Sequence, residues 1–399
     1  MWTSFQLYVA LYPALICAWL VLASLLEVIF REASCNLPVE DDELPPVAIL
    51  IPAHNEEAVI EACLDALLAV DYPQLEIHVL SDGSTDRTVE IARGFEARGV
   101  TVMEFVENRG KSEVLESALR SLGTDFAMVV DADTRLAPSA VREMAVFLAD
   151  ERVGGVTANV RVAGKGSFLG RLQQMEYASI VGLTKRANGL LGGLFTVSGA
   201  AACFRVRAVR AVGGFRSAST TEDIELSWRL QRAGWRLAYA PRAAVEISVP
   251  HRISALWKQR RRWSQGLVEV LRMHGDLWHH RTAVLLPFML EALASICWAL
   301  MLAGTLAVFA GLWFTQGDFR ALHLDFWSWQ VFTMALFSVQ SLSAWILGRH
   351  YAPQPFWLLF LSPLYPLYFL SIILTSAIAG WSCGLFSQQA GRWARTARV

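Results

Sequence analysis

The sequence predicts an α/β domain with a mixed, mostly parallel sheet, inserted between transmembrane α-helices. Three observations carry this. Charge is confined: of 71 Asp, Glu, Lys and Arg residues, all but Glu27, Glu291, Asp318, Arg320, Asp325, Arg349, Arg392, Arg395 and Arg398 fall within residues 31–282. Inside that block an apolar strand-like run, a polar turn and a helical pattern recur four times, the signature of βα units. Acidic and polar side chains gather where the runs end, at the edge where open α/β sheets bind ligands. The 399 residues are 54% hydrophobic with 15 Trp, too apolar for an ordinary soluble protein. A formal charge of −1 argues against a nucleic-acid partner. The six Cys are scattered without a C-x-x-C pair, so neither a zinc site nor a disulfide framework is implied.

From the N-terminus, Phe5 to Phe30 is apolar except for Glu27. It is too long for a signal-peptide core and lacks a basic start, so residues 1–31 read as an uncleaved anchor. Residues 32–46 form an acidic, Pro-ended linker. The block 47–250 is the α/β domain, and 251–282 is an amphipathic basic helix at the membrane surface. Residues 283–386 hold the apolar runs Ala283–Phe314, Trp327–Gly348 and Phe356–Phe386, each beyond the roughly 20 residues a crossing helix needs. Arg31 and Arg281 at the junctions place the middle block in the cytoplasm, on an inner cell membrane. The basic tail 387–399 also belongs there, yet three crossings after the block would put it outside. Pro363 and Pro366 break the last run, which leaves room for a re-entrant or interfacial piece. The runs serve either as plain anchors or as the lining of a path, with Gln340, Ser341, Ser343 and Trp345 as candidate lining groups.

Within the block, Val47–Ile51 reads as a buried strand, followed by Pro52-Ala53-His54-Asn55-Glu56-Glu57 and a helix from Ala58 to Val70. Ile77–Leu80 closes on Ser81-Asp82-Gly83-Ser84-Thr85-Asp86, where Gly83 permits a tight turn and Ser84 or Thr85 can cap a helix. Val102–Val106 leads to Asn108-Arg109-Gly110-Lys111. The fourth strand, Phe126 to Val130, ends at Asp131-Ala132-Asp133. Alternate side chains of a strand share a face, so Asp131 and Asp133 are expected to point the same way at the strand's C-terminal mouth, and two hard oxygen donors there suit Mg²⁺ or Mn²⁺ shared with a phosphate. An ordinary acidic turn is the competing reading. The rim Asn55, Glu56, Asp82, Lys111, Asp131 and Asp133 suits a nucleotide, with Lys111 approaching phosphate. Taken singly, Asn55 is also a turn former, Asp82 a helix cap and Lys111 a solvated charge. No G-x-G-x-x-G or P-loop is present.

Residues 153–220 read as a strand (Val153–Val160), a long helix around Phe168–Leu190 and the loop Thr196-Val197-Ser198-Gly199-Ala200. Thr220 or Thr221 can cap a helix with an acidic first turn. Asp223 there is either a dipole-stabilising residue or a general base whose pKa neighbours such as Glu222 raise. On the basic helix Ser254–Met273, Gln259, Arg262 and Trp263 fall within one turn and can face one site. Arg grips diphosphates in a fork, and a Trp face stacks on sugar C–H groups.

Together Asp82 in D-G-S-T-D, Asp131-Ala-Asp133, Thr221-Glu-Asp223 and Gln259-Arg-Arg-Arg262-Trp263 resemble the D, D, D, Q-x-x-R-W signature of family-two membrane glycosyltransferases, over about residues 45–275. That group includes cellulose, hyaluronan, chitin and poly-N-acetylglucosamine synthases. Gln174-Met-Glu176-Tyr177, Lys185-Arg186, Phe195-Thr-Val-Ser-Gly199 and Leu256 to Gly266 are most similar to poly-β-1,6-N-acetylglucosamine synthases. The resemblance implies a GT-A fold, a UDP-sugar donor, an Mg²⁺ or Mn²⁺ cofactor and a polysaccharide or lipid acceptor at a membrane. It implies a nucleotide-sugar site of Ala53, Asn55, Glu56, Asp82, Lys111, Asp131, Ala132 and Asp133, with metal on Asp131 and Asp133. It makes Asp223 the base beside Glu222, and gives Gln259, Arg262 and Trp263 the acceptor end and the diphosphate. Ser198 and Gly199 join Trp263 at the acceptor. A small membrane partner subunit belongs to that subgroup. Two departures stand out: one N-terminal apolar run where two are common, and no cyclic-dinucleotide-binding domain. Transfer of one sugar to a lipid, as in ceramide glucosyltransferase-like members, also uses Q-x-x-R-W.

Overall fold

The computed structural model describes residues 2–30, 41, 44–163, 167–216, 219–278, 284–316, 320–349 and 354–386. Most of the 32–46 linker, Arg31, Arg281 and the tail 387–399 lie outside them. After helix α1 (Trp2–Phe30) come β1 (Val47–Ala53), α2 (Ile60–Leu68), β2 (Leu75–Asp82), α3 (Thr88–Arg93), β3 (Val100–Phe105), α4 (Lys111–Ser121) and β4 (Phe126–Val130). Then follow β5 (Thr134–Leu136), α5 (Ala140–Leu148) and β6 (Val153–Val162). Helix α6 (Phe168–Glu176) runs through a π-helical stretch, Tyr177–Gly182, into α7 (Leu183–Leu190). The domain closes with β7 (Ala201–Arg205), α8 (Val206–Ala211), α9 (Glu222–Arg232) and β8 (Arg236–Ile247). Beyond it lie α10 (Ile253–Met273), α11 (Leu285–Gln316), α12 (Arg320–Gly348), α13 (Tyr365–Tyr368) and α14 (Thr375–Phe386).

One sheet has the order β3-β2-β1-β4-β7-β6-β8-β5. The pairs β1–β2, β2–β3, β1–β4 and β6–β8 are parallel, while β4–β7, β6–β7 and β5–β8 are antiparallel. The chain winds outward from β1 through β2 to β3, then returns to place β4 on the other side of β1. That reversal opens a crevice outside the carboxyl ends of β1 and β4, the position where such sheets take ligands. Alternate strand residues serve two cores. Ile49, Ile51, Met128 and Val130 pack under α2 and α5, while Leu50, Leu80 and Val129 pack under α4 and α9. Burial of both faces explains why these strands read as unbroken apolar runs.

Among the described residues, four segments are long and apolar enough to cross a membrane: Tyr8–Phe30, Leu285–Gly311, Val331–Gly348 and Phe356–Phe386. The fourth is not one continuous α-helix. It runs as a 3₁₀ segment (Phe356–Leu364, containing Pro363), α13, a π-helical stretch (Phe369–Leu374) and α14. Helix α14 lies along α10. Trp257 Nε1 donates to Thr375 Oγ1 at 3.1 Å, and Arg272 Nη1 donates to the Gly384 carbonyl at 2.8 Å. A Cβ at Gly380 would collide with the Arg261 carbonyl, and one at Gly384 would crowd the Gln265 carbonyl. Glycine at both positions lets the two backbones meet.

Candidate active site

At the crevice the sheet, α9 and α10 enclose a cleft of about 300 Å³. Its walls collect Glu56 after β1, Lys111 at the start of α4, and Asp131, Ala132 and Asp133 after β4. Ser198 and Gly199 come from the loop before β7, Glu222 and Asp223 from α9, and Gln259, Arg262 and Trp263 from α10. Strand β7 runs antiparallel to β4, pairing Val130 with Ala201, which brings the 196–200 loop to the same rim. There Asp131 N–H donates to the Ala200 carbonyl at 3.1 Å.

Asp131-Ala132-Asp133 does not continue the strand as expected. It forms a turn closed by Thr134 N–H donating to the Asp131 carbonyl at 2.9 Å, before β5 leaves in another pairing. Both carboxylates still line the cleft, so the turn does what strand alternation was expected to do. Lys111 is paired within the same cleft. Its Nζ lies 2.8 Å from Asp131 Oδ1 and 2.9 Å from Glu222 Oε1, with the side chain 9% exposed. Burial alone would lower this amine, but the two carboxylates outweigh it and hold the pKa above the ordinary lysine value. Lys111 therefore ties the D-x-D turn to α9.

Asp223 faces this pair. Its Oδ2 accepts the Gly199 N–H at 3.1 Å and its Oδ1 accepts the Ile224 N–H at 2.9 Å. Burial, then the charge of Glu222, push its carboxyl up to about 6, against the opposing pull of Lys111. Thr221 occupies the N-cap of α9 without a side-chain capping bond. Ser219 and Thr221 hydrogen-bond one another instead. The segment is pinned to α10: Glu269 Oε2 accepts from Thr220 N–H at 2.8 Å, and Thr221 packs where a Cβ on Gly266 would stand. Glycine at 266 thus sets the distance between the start of α9, with Asp223, and the Gln259-Arg262-Trp263 face. Arg262 Nη1 reaches the Thr220 carbonyl at 3.4 Å, while its buried Nε has no hydrogen-bond partner among the described residues.

Three expected residues do not line the cleft. Asp82 is fully buried, and its two oxygens accept from Arg109 and Gly110 N–H at 2.7 and 2.8 Å, fastening the loop before α4. Asn55 sits at φ 56, a conformation Asn tolerates, and its Oδ1 accepts from Thr85 N–H at 2.7 Å, joining the loops after β1 and β2. Ala53 is the buried last residue of β1. Neither Ser84 nor Thr85 caps α3; Asp86 Oδ1 accepts from Thr88 N–H at 3.0 Å.

Two titratable lining residues lay outside the expected set. Tyr177 enters the wall from the π-helical stretch, and burial raises its phenol to about 12. Lys185 is buried with neutral oxygens of Thr157 and Ala158 at 3.1 and 3.4 Å, and burial lowers its amine to about 7. The Gln-Met-Glu-Tyr and Lys-Arg pairs of the family resemblance were the available signal. Of the candidate path residues, Ser341 and Trp345 line a separate cavity of about 50 Å³ that shares Tyr177 with the cleft. Gln340 bonds the Ser179 carbonyl at 2.8 Å, and Ser343 bonds within α12.

Residues 45–266 match the family model described as glycosyltransferase like family 2. The chain belongs to this glycosyltransferase family. Among relatives of this enzyme, a poly-beta-1,6-N-acetyl-D-glucosamine synthase of Staphylococcus epidermidis is 33% identical over 300 residues, 73% of this chain and 72% of that one. One of Staphylococcus aureus is 35% identical over 298 residues, with the same coverage. The solved mannosyltransferase PcManGT of Pyrobaculum calidifontis, in complex with GDP-Man and Mn²⁺, superposes at a TM-score of 0.70 with 19% identity. That match covers 96% of this chain and 99% of the other, and it shows the GT-A fold of this glycosyltransferase.

Proposed function

We propose that the enzyme is an inverting membrane glycosyltransferase that moves a sugar, GlcNAc, from its UDP donor to the hydroxyl end of a β-linked polysaccharide. One observation carries the reading: a carboxyl held near pKa 6 on α9 lies in one cleft with the D-x-D turn, Arg262 and Trp263. The names of the staphylococcal relatives support GlcNAc and a polymer. A divalent cation fits the donor set, since Asp131 and Asp133 offer hard oxygens and no His or Cys lines the cleft. Asp131 and Asp133 would hold the ion, and donor phosphate oxygens and water would supply its remaining ligands. Bound there, Mg²⁺ or Mn²⁺ would neutralise charge on the departing diphosphate.

The chain's own residues do the rest. Asp223 takes the proton of the acceptor hydroxyl as it attacks the anomeric carbon from the face opposite UDP. That approach converts an α-linked donor into a β-linked product. Arg262 grips the diphosphate, and Trp263 and Gln259 seat the acceptor sugar. Lys111 holds Asp131 and Glu222 in place. Polymer over single transfer is supported by the names of the staphylococcal relatives.

A panel of UDP- and GDP-sugars with Mg²⁺ or Mn²⁺ tests the proposal through nucleotide release and product length. UDP release from UDP-GlcNAc with polymer at the chromatographic origin is expected. A single glycolipid spot would instead make this a lipid glycosyltransferase, and release from another donor alone would replace GlcNAc.

A further inference from the structure

Behind Trp263 lies a buried polar cluster that the reaction does not use. Glu176 ends α6 immediately before the π-helical stretch that carries Tyr177 into the cleft wall. Local π-helix often marks functional positions. The Glu176 Oε2 accepts from Arg260 Nη2 at 2.9 Å and from the Tyr368 hydroxyl at 2.9 Å. The exposures are 6% for Glu176, 8% for Arg260 and 4% for Tyr368. The Arg260 guanidinium then stacks over the Trp263 ring, 4.3 Å from its centroid, a cation–π contact strengthened by its removal from water. Arg260 Nε has no hydrogen-bond partner among the described residues, so the carboxylate and the indole are what orient the guanidinium.

We propose that Glu176, Arg260 and Tyr368 form a bracket that fixes the Trp263 indole, making Glu176 and Tyr368 positioning residues for the acceptor side of the cleft. The bracket ties α6, the catalytic helix α10 and the C-terminal apolar segment together at one carboxylate oxygen. It rests on the transferase reading above. Neither Glu176 nor Tyr368 lines the cleft, so each acts through Arg260 on the ring. Without the Glu176 charge the guanidinium swings toward other acceptors and the indole loses its backing.

The test compares wild type, Glu176→Gln and Tyr368→Phe in detergent or nanodiscs, with oligosaccharide primers of defined length. The readouts are KM for primer, KM for donor, kcat and UDP release without primer. A shift of about an ångström in a positioned group costs on the order of 10²-fold, so Glu176→Gln should raise primer KM roughly 10-fold or more and lower kcat. Tyr368→Phe, which removes one hydroxyl, should show the same pattern at roughly 3- to 10-fold, since part of the misplacement remains corrected. Donor KM and primer-free UDP release should stay within about twofold, because the diphosphate side of the cleft is untouched. Unchanged primer KM in Tyr368→Phe, or donor and primer constants rising together, overturns the bracket. If Glu176→Gln does not fold, Tyr368→Phe alone decides. A wild type that transfers no sugar overturns the transferase reading and the bracket with it, whereas wild-type transfer with unaltered variants overturns the bracket alone.

Discussion

Asp223 must be ionised to accept a proton, and burial with Glu222 holds its carboxyl at about 6. The rate constant kcat/KM should therefore fall as pH drops through about 6, with unit slope, and level off above it. The folded state binds this proton more tightly than the unfolded chain, so ionising Asp223 costs stability as pH rises toward 6. Lys111 lowers the Asp223 pKa, so Lys111→Met should move the acid limb of the rate profile to higher pH. It should also destabilise the fold by about 3–5 kcal/mol, because Asp131 and Glu222 would lose a buried counterion. A limb that does not move separates Lys111 from Asp223. Asp131, Asp133, Asp223 and the Gln-x-x-Arg-Trp face were legible because each motif packs its chemistry into a few consecutive residues. The Lys111 pairing and Lys185 were not, since their partners sit on elements tens of residues away.

Strands β1 and β4 could be read as apolar runs because both their faces are covered. Strand β8 could not: Pro241 interrupts it at the irregularity where β6 shifts register between Ala158 and Asn159, and prolines inside strands collect at such breaks. The short β5 and β7 carry too few residues for a pattern. Helix α10 was placed correctly as a face, but its spacing from its neighbours rests on glycines whose role appears only in three dimensions. Gly266→Val should push α10 off Thr221 and lower turnover while the cleft's donor side survives. Gly380→Leu should part α14 from α10 and cost about 1–3 kcal/mol, the usual range for forced overpacking. Thermal unfolding and turnover of each variant check both; unchanged values would remove these contacts from any role in placing the catalytic helix.

Four apolar segments are long enough to cross a membrane, and the packing of the last sets it apart. Helix α14 runs parallel to α10 and touches it along its length. Helix α10 carries Lys258, Arg261 and Arg272, charges that are costly within hydrocarbon. We propose that the pair lies at the membrane surface. That reading leaves crossings by α1, α11 and α12, and it puts the chain's C-terminal end on the domain's side. A tag after Val399 should be protease-accessible from the same side as the domain; accessibility from the opposite face would restore a fourth crossing. On this arrangement the membrane segments brace the catalytic helix as well as anchoring it, and acidic groups from β4 and α9 meet α10 in one cleft. The most direct test of that convergence pairs UDP binding with turnover in Asp223→Asn. Turnover should fall at least about 10²- to 10⁴-fold, as for loss of a positioned base, while UDP binds as in wild type. Retained turnover, or loss of UDP binding together with turnover, would contradict Asp223 as the base of this cleft.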